Sequence, residues 1–366
     1  MTTTTRPTSL GILERFRTLY ELPVDYPIVS LNEGNTPLIP APKLAEWAAP
    51  GLDLNLFVKF EGANPTGSFK DRGMTFAVSQ AVKDGKTHIV CASTGNTSAS
   101  AAAYGARAGL QTIIVLPKGK VALGKLSQAI MYGAHIIEIE GNFDEALDIV
   151  REFTALPQVA IVNSINPYRI RGQQSGAFEI CQQLGSYLGV PQPPDYHFIP
   201  VGNAGNITAY WAGYQRFMEA GHISTLPKMC GYEAEGAAAI VQGKKFDHPE
   251  TLATAIRIGN PASWEAAEAA RDESGGWIDS VNDDEIVAGW KAAAELEGVF
   301  AEPACGASVG GLKKAAAQGK VEANSTVVCI LTGQGLKDPD NAVAYGKAKK
   351  ATLPADFKTI CTHLNL

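Results

Sequence analysis

The sequence predicts an α/β protein built on two open, mostly parallel sheets, and three observations carry that expectation. Short β-branched runs and helical runs alternate without a break from residue 87 to 162. The alternation resumes at residue 197 and closes on the apolar run Thr326 to Leu331. The length, 366 residues, leaves room for two domains of about 150 residues or somewhat more.

In chain order, Thr87 to Ala92 reads as a strand and Thr97 to Ala108 as an Ala-rich helix. Gln111 to Leu116 is again β-branched, followed by a helix (Ala122 to Tyr132), a strand (His135 to Ile139), a helix (Phe143 to Phe153) and a strand (Val159 to Val162). Parallel strands need crossover helices, so this order implies one parallel sheet. His197 to Val201, a helix from Ile207 to Ala220, Lys228 to Tyr232 and Thr326 to Leu331 imply a second. Residues 185 to 196 read as a Pro/Gly connector, and 241 to 262 are turn-rich.

Composition removes several functions. A net charge of −6 with no long basic run argues against nucleic acid. The six cysteines form no C-x-x-C pair, and Cys91 and Cys329 lie in apolar runs, as small core residues of a reducing compartment do. None of the six histidines has a metal-ligand spacing, so no metal is expected. The opening MTTTTRPTSL has no apolar signal core, and no stretch approaches about 18 uninterrupted apolar residues, so a cytoplasmic chain without membrane contact is expected.

Five segments can carry chemistry. In Asn64-Pro65-Thr66-Gly67-Ser68-Phe69-Lys70-Asp71-Arg72-Gly73, Ser68 and Asp71 have capping-box spacing, which puts Lys70 in the first turn of a helix running toward Lys83. The positive end of the helix dipole there favours a free amine able to form a Schiff base. Ser93-Thr94-Gly95-Asn96-Thr97-Ser98 joins a strand end to a helix start, where backbone N–H groups suit a carboxylate. Pro200-Val201-Gly202-Asn203-Ala204-Gly205-Asn206 has the small residues that let backbone wrap a phosphate at a helix N-terminus. Asn163-Ser164-Ile165-Asn166-Pro167-Tyr168-Arg169 offers amide, hydroxyl and guanidinium donors to a second anion. Leu331-Thr332-Gly333-Gln334-Gly335-Leu336-Lys337-Asp338 ends the last strand with a hydroxyl. A sixth, Gly119 to Leu126, matches G-x-x-x-x-G-K but has Leu126 where a nucleotide loop needs a hydroxyl; Lys125 is left as an anion-binding candidate.

From Gly34-Asn35-Thr36-Pro37-Leu38 to Asn341 these segments, in this order, resemble the pyridoxal-phosphate enzymes of the tryptophan synthase β-like family, fold type II, and more narrowly the threonine synthases. The resemblance implies a larger cofactor-binding domain of residues 1–86 and 165–366, a smaller inserted domain of 87–164, an active site between them, and a homodimer. It implies that Lys70 holds pyridoxal 5′-phosphate as an internal aldimine and acts as the catalytic base. It further implies that Asn96 bonds the cofactor's 3′-oxygen, that Gly202, Asn203, Ala204, Gly205 and Asn206 bind its phosphate, and that Thr332 meets its ring nitrogen. For the substrate, O-phospho-L-homoserine, Thr94 and Thr97 are expected at the carboxylate, and Asn163, Ser164, Arg169 and Lys125 at the phosphate.

The implied reaction turns O-phospho-L-homoserine and water into L-threonine and phosphate, with proton removals at Cα and Cβ and loss of phosphate from Cγ. A threonine or serine dehydratase of the same fold, and a non-catalytic α/β binding protein, are the rival readings. The dehydratases typically carry a more glycine-rich phosphate loop and often a separate regulatory domain, which this chain is not expected to have.

Overall fold

The computed structural model describes residues 10–93, 95–119, 123–346 and 350–366. Among the described residues, ten strands form two sheets. The strands are β1 (Leu38–Pro40), β2 (Asn55–Phe60), β3 (His88–Ala92), β4 (Gln111–Pro117), β5 (His135–Ile139), β6 (Val159–Ile161), β7 (Tyr196–Pro200), β8 (Lys228–Ala234), β9 (Trp277–Val281) and β10 (Thr326–Leu331). The six-stranded sheet runs β1-β2-β10-β7-β8-β9, and the four-stranded sheet runs β5-β4-β3-β6. Every pairing is parallel except β1 with β2, so both expected sheets form, and both are mostly parallel.

The β10 side chains explain why the large sheet lies inside. Val327, Cys329 and Leu331 pack on one face with Leu312 and Val309 of the helix Gly306–Ala317. Val328 and Ile330 pack on the other with Phe178, Ile207 and Tyr214. Such a continuous apolar run is what a strand covered on both faces requires. Strand β3 does the same in the small sheet, with Ile89 and Cys91 in one cluster and Val90 and Ala92 in another.

Strand order also fixes where ligands bind. In the small sheet the chain moves from β3 through β4 to β5 and then returns to β6 on the far side of β3. In the large sheet it moves from β7 through β8 to β9 and returns to β10. Open α/β sheets take ligands outside the carboxyl ends of strands at such reversals. Those ends are the loops after β3, β6, β7 and β10.

Sequence patterning missed β1, β2 and β9. It also placed a connector where the helix Ser175–Leu188 continues through residues 185 to 188, ending at Gly189 in a left-handed conformation. Within β2, Lys59 breaks the apolar pattern yet is fully buried, because its ammonium donates to the Thr36 carbonyl, Glu179 and Gln183 at 2.8–2.9 Å. Glu179 also accepts from Arg72, which pairs in turn with Glu61 at 2.6 and 2.8 Å. Burial opposes ionisation of Glu179, but Arg72 and Lys59 outweigh it and hold the carboxyl well below its usual range.

No helix among the described residues is long and apolar enough to cross a membrane.

Candidate active site

Lys70 is the first residue of the helix Lys70–Lys83, as expected, but no capping box places it there. Asp71 reaches past Ser68 and accepts from the N–H and hydroxyl of Thr66 at 2.7 and 2.6 Å, and from Ser100 at 2.6 Å. The loop before the lysine is tied instead to the end of β10: Phe69 N–H donates to the Thr332 carbonyl at 3.0 Å, and Ser68 bridges Gly333. The amine is driven toward its neutral form, with its pKa lowered to about 7. Burial is the main cause and the charge of Arg169 the second, while Glu302 pulls the other way.

Arg169 sits on the short helix Pro167–Gln173, which Asn166 caps through Tyr168 N–H at 2.9 Å. Its side chain is buried, not a surface group, and donates one bond, to the Val162 carbonyl at 2.9 Å, while its Nε is buried without a partner. Helix Lys70–Lys83 admits it only through Gly73, where a β-carbon would lie 2.7 Å from the Arg169 carbonyl oxygen. Asn163, at the exit of β6, clamps the backbone of Ala92 at the exit of β3, accepting from its N–H at 3.0 Å and donating to its carbonyl at 2.9 Å.

Beyond β7, Ala204 adopts a left-handed φ of 64° at the cap of the helix Gly205–Glu219. Asn203 is held on three sides, donating to Ser164 Oγ at 3.2 Å and accepting from the N–H groups of Ala262 and Ser263. Asn206 is buried with no partner for its Nδ2. A buried amide donor left over at a helix N-terminus fits a phosphate, the group that would use both. Through the Asn203–Ser164 bond the Gly202 to Asn206 loop and the Asn163 to Arg169 segment adjoin.

Asn96 opens the helix Asn96–Ala108 and donates Nδ2 to Glu302 Oε2 at 3.0 Å; Thr332 donates to Glu302 Oε1 at 2.9 Å. Glu302 thus joins the small-sheet candidate to the large-sheet one, and Lys70 lies within electrostatic reach of it. Thr97 follows on the same first turn, half-buried. Thr94 and the side chain of Lys125 lie outside the described residues.

Residues 29–333 match the model of the pyridoxal-phosphate dependent enzyme family. The threonine synthase of Halalkalibacterium halodurans is 54% identical over 355 residues, 97% of each chain. That of Methanocaldococcus jannaschii is 50% identical over 338 residues, covering 90% of this chain and 82% of its own. The chain belongs to the threonine synthase family. Its fold is shared more widely: the processed threonine deaminase isoform 2 of Solanum lycopersicum superposes with a TM-score of 0.71 at 21% identity, over 94% of this chain and 96% of that one.

Two residues of this threonine synthase family member escaped sequence reasoning. Glu302 precedes a short helical turn and has no motif spacing to Asn96 or Thr332; only the fold unites them. Lys337 lies in the segment Leu331 to Asp338 and was passed over as part of a strand exit. Its ammonium donates to Gln128, whose Nε2 donates to the Thr66 carbonyl at 3.2 Å, so one glutamine ties the lysine loop to the end of β10. Burial lowers the Lys337 pKa against the opposing charges of Asp71 and Glu302.

Proposed function

We propose that this chain, a pyridoxal-phosphate-dependent lyase of threonine biosynthesis, converts O-phospho-L-homoserine and water into L-threonine and phosphate. The observation that carries the reading is a cluster at the strand exits of both sheets: Lys70, whose burial lowers its pKa to about 7, the adjoining Gly202 to Asn206 and Asn163 to Arg169 segments, and Asn96 and Thr332 meeting on one carboxylate. When bound, pyridoxal phosphate supplies the electron sink for carbanions developing on the substrate.

The chain's own residues do the rest. Gly202 to Asn206 hold the cofactor phosphate through backbone N–H groups and the spare Asn206 amide. Asn96 and Thr332 orient the cofactor ring. Lys70 would hold the cofactor through its amine and would serve as the base for the protons at Cα and Cβ, a task suited to an amine that titrates near neutrality. Thr94 and Thr97 hold the substrate carboxylate. Asn163, Ser164, Arg169 and Lys125 receive the substrate phosphate, Arg169 through donors not spent on Val162.

The division of labour follows the segments: 1–86 with 165–366 bind the cofactor, and 87–164 form a smaller inserted domain. A cytoplasmic homodimer is the assembly the family resemblance supports, read by sedimentation. The test of function incubates the purified holoenzyme with O-phospho-L-homoserine. Equimolar threonine and phosphate are expected. Formation of 2-oxobutyrate from threonine, with no phosphate released from O-phospho-L-homoserine, would make the chain a dehydratase instead.

A further inference from the structure

Two surfaces of this chain are apolar, open and unlike in charge. The first is the helix Phe357–Leu364, capped at its start by Asp356, which accepts from the Thr359 N–H and hydroxyl at 2.8 and 2.7 Å. Phe357, Ile360, Cys361 and Leu364 stand at helical spacing and form one stripe. Yet no residue from 350 to 366 is buried, and Phe357 is 82% exposed. Helices under about 12–15 residues are marginal in water by themselves, so a two-turn helix with a bare apolar stripe calls for a partner surface.

The second is an open groove on the large-sheet side, lined by Ile39, Phe60, Val299, Phe300 and Leu336. Phe300 and Leu336 are exposed, and so is Val343 on the helix Pro339–Tyr345 that follows. Gly62 and Gln334 also line the groove, and the Gln334 N–H donates to the Gly67 carbonyl at 3.0 Å, so the groove backs onto the loop that carries Lys70.

Charge decides what fits. Residues 347–366 hold four lysines and one aspartate, a net +3, on a chain whose total is −6, which leaves −9 on residues 1–346. Exposed carboxylates flank the groove residues in the chain: Glu295, which also pairs with Lys291 at 3.6 Å, precedes Val299, and Asp340 follows Leu336. A basic helix with an apolar stripe suits an apolar groove on an acidic body, and in a single chain both stand open. We infer that the helix Phe357–Leu364 seats in the groove at Phe300 and Leu336 of a second copy of this chain, which returns its own helix in exchange. Because each copy offers the same helix and the same groove, the exchange closes a two-fold dimer with two identical seats and leaves neither surface bare.

The inference rests on the homodimer of the preceding reading, and the experiment separates the two claims. Sedimentation equilibrium is run on holoenzyme of the wild type, of the chain ended after Lys350, and of Ile360→Asp and Phe300→Asp, with circular dichroism as the check on folding. The wild type is expected to be a dimer. Each variant damages both seats by symmetry, so a tenfold loss at each weakens dimerisation about a hundredfold. Contact is read directly with Leu336→Cys and a short bismaleimide, since Cys361 lies in the helix stripe and the other five native cysteines are buried. A covalent dimer is expected, and none once Cys361→Ser is added. A dimer as tight without residues 351–366 as with them, no cross-link, or a cross-link that survives Cys361→Ser overturns the seat and leaves the homodimer standing. A monomeric wild type overturns the homodimer, and the seat with it.

Discussion

The two sheets bury their strands to different degrees. All five residues of β7 are buried, whereas in the edge strand β5 His135, Ile137 and Glu138 are exposed. The large-sheet side is further pinned by the Lys59, Glu179, Arg72 and Glu61 network, while the small side's Lys118–Glu140 pair lies in solvent at 3.5 Å. The helix Lys70–Lys83 is the seam, giving Phe76 to one core and Met74, Ala77, Val78 and Ala81 to another. Val29, Leu31 and Tyr168 also pack on the small-sheet core, and polar bonds cross as well, among them Asn96 to Glu302, Asn203 to Ser164, Lys337 to Gln128, Gln128 to Thr66, Ser100 to Asp71 and Tyr104 to Glu33. The lesson is that the candidate site lies where a deeply buried, ion-paired sheet meets a smaller one with an exposed edge.

The strongest way to break that comparison is at the seam. Lys70→Ala should lower turnover by about a thousandfold or more, while circular dichroism and the urea midpoint stay at wild-type values, because loss of a base does not remove packing. A comparable loss of stability would show the lysine to be structural. Next comes the scaffold: Arg72→Met leaves Glu61 buried without its cation and Glu179 without one of the two buried cations it pairs with, and should cost about 3–5 kcal/mol in urea unfolding. Removing the exposed Lys118 on the small side should cost about 0.5 kcal/mol or less. Equal effects from the two would erase the distinction between the sheets.

Arg169→Ala should reduce kcat/KM for O-phospho-L-homoserine about ten- to a hundredfold, the loss of a charge-assisted contact worth about 1.5–3 kcal/mol. Cofactor affinity should hardly change if, as proposed, the Gly202 to Asn206 loop carries it; the Asn203–Ser164 bond makes this a sharp test, and a parallel loss of cofactor would merge the two proposed anion sites. The same variant removes the cation that helps hold the Lys70 pKa down, so its reloading profile is informative. In the wild type, cofactor capture by apoenzyme needs the unprotonated amine, so its rate should rise through pH about 7 and level above it. In Arg169→Ala the rise should move to higher pH; a wild-type rise near 10 would remove the depressed lysine from the account. The smallest effect is expected from Gln128→Ala, about 0.5–1.5 kcal/mol, seen as faster amide exchange in β4 to β6 with β7 and β10 unchanged.

Sequence made legible what is local. The alternation from residue 87 to 162 located four parallel strands because each is a short apolar run closed by its own helix. Lys70, Asn96, the Gly202 to Asn206 loop and Thr332 could be placed from sequence because each stands at a strand exit or helix start. Strand β2 was not, since Lys59 is a charge that only a distant Glu179 makes tolerable. Glu302 escaped for a like reason: its partners lie 206 and 30 positions away in the chain. Nor did the residues before Asn32 advertise that Ile12, Leu13, Phe16 and Tyr20 are core, since no strand or long helix gives them a period.

The pairing of β2 with β10, Asn55 beside Thr326, sets an order of assembly. A chain synthesised from its N-terminus can complete β3 to β6 from contiguous sequence while most of the large sheet is still unmade. Strand β2 must wait with an open edge until the last strand arrives to separate it from β7. Closing so long a loop is slow, and an exposed apolar strand is prone to wrong partners meanwhile. Lys59 in the middle of β2 is then useful before it is ever paired, since an unburied charge on a waiting strand discourages association with another chain.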